Sequence, residues 1–108
     1  MSTIITLNEL RERISGSQGL ILIEALPEKY YESGHIPGAI QIPHDAEEEI
    51  IRARVQDQNA EIVVYCANAA CRNSSILAQR LEDLGYQRVR EYHEGKAEWK
   101  AAGLPLQG

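Results

Sequence analysis

The sequence contains no phenylalanine, one tryptophan and one methionine, so a buried core must be assembled from leucine, isoleucine, valine, alanine and tyrosine. It holds only two cysteines, Cys66 and Cys71. That is too few for the disulfide framework of a small secreted scaffold, and a reducing compartment would leave them catalytic, metal-binding or plain core residues. No apolar run approaches the roughly 20 residues needed to cross a bilayer. The first residues show no charged segment followed by an apolar one, and a cytoplasmic location is the expectation. Basic residues are outnumbered, 11 Lys and Arg against 16 Asp and Glu, and they form no stripe. A net charge of −5 without a basic patch argues against nucleic acid and anionic membrane as partners.

What is present suits one soluble domain over residues 1–108: 44% hydrophobic and 25% charged residues, and enough chain to bury a core without staples. Repeats, low-complexity tracts and Pro- or Ser-rich linkers do not occur in it.

Thr6 and Glu9 form a capping-box pattern, and Leu7, Leu10 and Ile14 follow at helical spacing until Gly16. Leu20 to Ile23 is a short apolar run and reads as a buried strand. Pro27 opens a short helix through Tyr30 and Tyr31 to Ser33. Ala39 to Ile42 is a brief strand stopped by Pro43. Asp45 and Glu48 repeat the capping-box pattern ahead of a helix to about Val55. Ile62 to Tyr65 is the most strand-like segment, apolar and rich in β-branched residues. Leu77, Leu81 and Leu84 mark one face of a helix from Ser74, closed by Gly85. A last strand, Val89 to Tyr92, and a short helix, Lys96 to Ala102, complete the chain. Strands alternating with helices imply a parallel sheet covered on both faces, with sites beyond the carboxyl ends of its strands.

Cys66 stands at such an end. After it come Ala67, Asn68, Ala69, Ala70 and Cys71, then Arg72, Asn73 and Ser74 at a helix start. Free amides of a curled loop, the helix N-terminus and the Arg72 guanidinium would each favour a thiolate over a thiol. Cys66 and Arg72 are therefore the candidate catalytic pair, with the residues between Cys66 and Ser74 as the active-site loop. A buried structural cysteine is the plainer alternative.

At this point the chain resembles the rhodanese-like family over nearly its whole length. Gly34-His35-Ile36-Pro37-Gly38-Ala39, running on to Ile42-Pro43, looks like that family's stretch after its first helix. Val63-Val64-Tyr65-Cys66 looks like the strand that leads to its persulfide cysteine. Glu94-Gly95, Trp99 and Gly103-Leu104-Pro105 resemble its closing signature. The resemblance implies a three-layer α/β fold, with helices on both faces of a central parallel five-stranded sheet. It implies a sulfurtransferase that moves sulfane sulfur from thiosulfate, polysulfide or a low-molecular-weight persulfide to a thiol or cyanide-type acceptor. A thioredoxin-like or other protein thiol is a candidate partner, and no cofactor is implied.

Three departures stand out. Five residues separate Cys66 from Arg72 where the family commonly has four. That longer spacing is shared with phosphatases and arsenate reductases of the same fold, and an oxyanion-handling enzyme is the first alternative. Glu24-Ala25-Leu26 replaces a common Asp-Val-Arg, which removes an Arg that often supports the site. Cys71 lies inside the loop, either as a resolving thiol or as a small filler. A non-catalytic regulatory module is the second alternative, against which Cys66 and Arg72 both count.

The other polar residues have simple readings. His35 is expected to hold its turn by hydrogen bonds, His44 and His93 to lie at the surface or strand ends, with His93 near the site. Trp99 is expected to pack the terminal helix. Glu47 to Glu49, and Arg11, Arg13, Arg52 and Arg54, are expected to be solvated helix faces. A zinc site built on the two cysteines lacks a second ligand pair, and no metal is expected.

Overall fold

The computed structural model describes residues 3–16 and 19–108. In chain order its elements are β1 (Thr3–Ile4), α1 (Leu7–Gly16), β2 (Ile21–Glu24), α2 (Glu28–Ser33), β3 (Ile40–Gln41), α3 (Glu48–Arg54), β4 (Glu61–Tyr65), α4 (Asn73–Asp83), β5 (Arg88–Tyr92) and α5 (Gly95–Ala101). The five strands form one parallel sheet in the order β1-β5-β4-β2-β3. The central strand, β4, is buried at every position, as a parallel strand covered on both faces must be.

Side chains alternate across β4. Ile62 and Val64 pack with Leu77, Ala78 and Leu81 of α4 and Ile51 of α3. Val63 and Tyr65 pack on the opposite face with Leu10 of α1 and Trp99 of α5. Burying each of these aliphatic side chains stabilises the fold by about 1.5–3 kcal/mol. The same alternation governs β5, where Val89 faces α4 and Tyr92 faces the other layer. Cys66, two residues beyond Val64, and Glu91, two beyond Val89, therefore fall on the α4 side of the sheet.

Local signals act as expected at the start of α1. The Glu9 amide donates to Thr6 Oγ1 at 3.2 Å, and the Thr6 amide donates to Glu9 Oε1 at 3.0 Å. The second capping box does not form. A turn closed by the Ala46 amide on the Pro43 carbonyl takes up His44 and Asp45, and α3 starts later, with Glu47 at its N-cap and no side-chain cap. β1 escapes sequence reading because it is two residues long and exposed, with no alternation to detect. It is a strand by virtue of β5, pairing Thr3 with Arg90 and Ile4 with Glu91.

Arg13 is not merely a solvated helix residue. Its Nε and Nη2 donate to Glu61 at 2.8 and 3.0 Å, and Arg90 donates to the same nearly buried carboxylate. This network anchors the amino ends of β4 and β5, at the pole of the sheet opposite Cys66.

Candidate active site

The carboxyl end of β4 delivers Cys66 beneath the first turn of α4, where the thiol is wholly covered. Cys66 Sγ lies 3.3 Å from Ser74 Oγ and 3.4 Å from the Cys71 carbonyl oxygen. Burial pushes the thiol above its ordinary value and the Cys71 contact adds to this, while hydrogen bonds from Ser74, through its side chain and backbone, act the other way. This direction corrects the expected thiolate-favouring loop. The physical cause is desolvation, which disfavours the charged form.

The loop itself explains why its amides do not offset that burial. An anion-holding nest needs residues alternating between right- and left-handed backbone conformations. Among the described residues no non-glycine has positive φ, and Ala67 to Cys71 contains no glycine. Two of the loop amides turn inward instead: Ala70 and Cys71 donate to Asn68 Oδ1 at 3.0 and 3.2 Å. Both cysteines are free thiols, with Cys71 half-buried.

Arg72 is exposed, and its guanidinium makes no hydrogen bond or ion pair with the described residues. It lines a groove of about 730 Å³ together with Ala70, Cys71, Ile76, Arg80 and His93. Among the described residues no carboxylate lines this groove, while two arginines, Arg72 and Arg80, do. In a chain of net charge −5 that is a local inversion of sign. Asn73 forms the first residue of α4 beside it.

On the other side of the loop, the start of α5 clasps it. The Lys96 amide donates to the Cys66 carbonyl at 3.0 Å and the Ala97 amide to the Ala67 carbonyl at 2.9 Å. Below this contact lies Glu24, fully buried, which accepts from Tyr65 Oη at 2.9 Å and from Lys96 Nζ at 3.2 Å. Leu26, at the position of the missing Arg, is buried and apolar. Lys96 supplies a cation from another element, also held by the Tyr30 and Gly34 carbonyls at 3.0 and 2.8 Å.

His35 holds its turn, with Nδ1 3.0 Å from the Tyr31 carbonyl and its ring stacked on Tyr31 at 3.8 Å. His93 stands at the groove, with Nδ1 3.5 Å from Glu91 Oε2. His44 is half-buried, and its Nδ1 has no hydrogen-bond partner among the described residues. Trp99 packs in the core and donates to the Pro105 carbonyl at 2.8 Å. Among the described residues no three His, Cys, Asp or Glu side chains gather as a metal site, and no helix is long and apolar enough to cross a membrane.

Four site residues, Ser75, Arg80, Glu91 and Lys96, are not singled out by the sequence; Ser75 and Arg80 sit on an ordinary helix face. Lys96 gave no signal, since a lysine at a helix start is ordinary. Glu91 did give one: it interrupts the apolar face that Val89 begins, and a carboxylate on a covered strand face is unusual.

The family model for the rhodanese-like domain matches residues 6–102. The chain is 34% identical over 97 residues to the HTH-type transcriptional regulator Rv0324 of Mycobacterium tuberculosis, covering 90% of this chain and 41% of that protein. It is 26% identical over 99 residues to a sulfurtransferase of Allochromatium vinosum, covering 90% and 87%. The chain spans less than half the length of two of the curated relatives it matches. Among solved structures, the BH2092 protein of Bacillus halodurans superposes with a TM-score of 0.90 at 28% identity, over 99% of this chain and 77% of that one. With its five-stranded parallel sheet and a cysteine at the end of the central strand, the chain belongs to the rhodanese-like domain family.

Proposed function

We propose that the domain is a sulfurtransferase in which Cys66 carries sulfane sulfur as a persulfide. The observation that carries this is the placement of the Cys66 thiol at the end of the central strand, under the N-terminus of α4 and beside a groove lined by Arg72 and Arg80 and, among the described residues, by no acid. The Allochromatium relative named a sulfurtransferase is close to this chain in length, which supports the same activity here.

The thiolate of Cys66 attacks the outer sulfur of a donor, thiosulfate, a polysulfide or a small persulfide. The donor's S–S bond breaks, and sulfite, a polysulfide one sulfur shorter or a thiolate leaves while Cys66 keeps the sulfur. An acceptor thiolate or cyanide then takes the terminal sulfur and returns Cys66 to its starting state. Arg72 and Arg80 hold the anionic donor at the groove, acting on substrate rather than on the thiol. Because Cys66 is covered, the Ala67–Cys71 loop must part for the donor to reach it. The sulfur atom itself does the chemistry, so no cofactor enters.

Cys71 is the candidate resolving thiol. Its thiolate would attack Cys66 Sγ of the persulfide, release hydrosulfide and leave a Cys66–Cys71 disulfide, which an external dithiol such as a thioredoxin-like partner would reduce. The oxyanion-handling alternative has less support, because the loop and groove offer no carboxylic acid for a leaving group, a contribution usually worth about 10²–10⁴-fold. A regulatory role has one specific support, the 34% identity to a protein named as a transcriptional regulator, and is compatible with the same persulfide acting as a signal.

The test is turnover of thiosulfate or polysulfide with cyanide, read as thiocyanate. Activity in the parent that disappears in Cys66→Ser supports the proposal. Equal turnover in both would overturn it.

A further inference from the structure

The groups behind Cys66 form a chain that leads from the buried thiol to the groove. Ser74 Oγ, itself buried, donates to Glu91 Oε2 at 2.7 Å. With its only proton committed there, Ser74 is an acceptor for the Cys66 thiol 3.3 Å away, a proton for which the Cys71 carbonyl at 3.4 Å is the other acceptor. Glu91 is 5% exposed, and its Oε2 also accepts from Ser75 Oγ at 2.8 Å and faces His93 Nδ1 at 3.5 Å. Ser75 and His93 line the groove. A carboxylate on a covered strand face is expensive unless its acceptors are filled, and here the filling groups connect a nucleophile to solvent.

We propose that Ser74 and Glu91 are a proton relay that takes the proton from Cys66 and holds it on the buried carboxylate, an internal base for the thiol. The inference rests on the proposed reactivity of Cys66 and assigns positioning roles that sulfur transfer itself does not specify. The Cys66 Sγ–H proton moves to Ser74 Oγ while the Ser74 hydroxyl proton moves to Glu91 Oε2. The products are a thiolate, an intact Ser74 hydroxyl now donating to it, and a neutral Glu91 carboxyl. The proton stays on Glu91, beside the Ser74 and Ser75 hydroxyls, while the Cys66 thiolate reacts. No electrons move, and the combined charge of Cys66 and Glu91 is the same before and after the transfer.

The relay answers a problem the fold creates. A wholly buried thiol in the closed loop cannot lose its proton directly to water, and among the described residues its hydrogen-bond partners are the neutral Cys71 and Ser74. His93, at the outer end, shares the groove with Arg72 and Arg80. Glu91 faces Ser74 and Ser75 from α4, His93 from the turn after β5, and Val64 across the sheet, while β1 brings only Thr3 and Ile4. Cys66 meets Cys71 from the loop and Ser74 from α4, and α5 reaches it through backbone alone. Lys96 is engaged with Glu24, and Arg90 with Glu61.

The experiment is the pH–rate profile of Cys66 alkylation by iodoacetamide, in a Cys71→Ser background so that Cys66 is the only thiol. With the relay intact, the rate should change by less than about threefold between about pH 6 and 8, because the base is internal. In Glu91→Gln, and independently in Ser74→Ala, the rate should rise about tenfold per pH unit and fall roughly 10²-fold below the parent at neutral pH. If Glu91→Gln does not fold, judged by circular dichroism, the smaller Ser74→Ala change carries the test. A folded variant of either kind that keeps the parent profile would overturn the relay. Polysulfide treatment of the parent chain is run beside it. A parent that shows the relay profile but takes up no sulfur would contradict sulfur transfer and leave the relay standing.

Discussion

Gly95 lies so close beneath Cys66 that a Cβ at that position would stand 2.3 Å from the Cys66 carbonyl oxygen. Its φ of +69° is also one that side chains disfavour. The approach lets the first amides of α5 reach the carbonyls of Cys66 and Ala67 and fix where the nucleophile sits. Gly95→Ala should destabilise the fold by roughly 2–4 kcal/mol, combining backbone strain and overpacking. Chemical denaturation should show it as a lower midpoint with an unchanged slope, and sulfur transfer should fall because the loop moves.

Lys96 neutralises a carboxylate with no exposed surface. Lys96→Met should cost about 3–5 kcal/mol, the penalty for stranding one partner of a buried pair. Adding Glu24→Gln should recover much of that loss. A double-mutant cycle measures the coupling, and strictly additive effects would argue that the pair is not the source.

The opposite pole of the sheet should govern acid stability. The Arg13 guanidinium holds the Glu61 carboxyl below its ordinary value of 4.5, against burial, with help from Arg90. A carboxyl depressed in the folded state adds stability that is present above 4.5 and is lost as pH falls through the folded value. Arg13→Ala should therefore be less stable than the parent at neutral pH, and the gap should narrow as pH drops below 4.5. Melting temperatures across that range provide the check, and a gap independent of pH would contradict the pairing.

Arg72 faces the groove, not the thiol. Arg72→Ala should raise KM for thiosulfate several-fold. It should leave the pH dependence of Cys66 alkylation close to that of the parent. A profile shifted toward higher pH would instead place the guanidinium on the thiolate.

Most of the sheet and the nucleophile's place in it were legible because buried strands and helix faces leave strong periodic marks. Ile62 to Tyr65 and the leucines of α4 are such marks, and together they set Cys66 at a strand end before a helix. β1 was not legible, since its strand character comes from β5 and not from its own residues. The loop's chemistry is not legible in its residue types for a related reason. Residue types gave an anion cradle, but its shape depended on backbone conformations that a run without glycine does not adopt and on where the Asn68 side chain turned. Strand parity places Glu91 on the same face as Val89, yet its link to Cys66 appears only when α4 lays Ser74 between them.

Cys71 should set the lifetime of the persulfide. In Cys71→Ser the sulfur-loaded form should persist longer than in the parent, and no intramolecular disulfide should form. Time-resolved intact mass distinguishes the outcomes, and equal lifetimes would make Cys71 a structural filler.

The central claim is that Cys66 carries sulfur, and intact mass after incubation with thiosulfate, polysulfide or glutathione persulfide tests it most directly. The account predicts a gain of about 32 Da, one sulfur atom, that maps to Cys66, disappears on adding an acceptor thiol and never forms in Cys66→Ser. A parent chain that stays unmodified with all three donors, or that gains the same mass without Cys66, would contradict it.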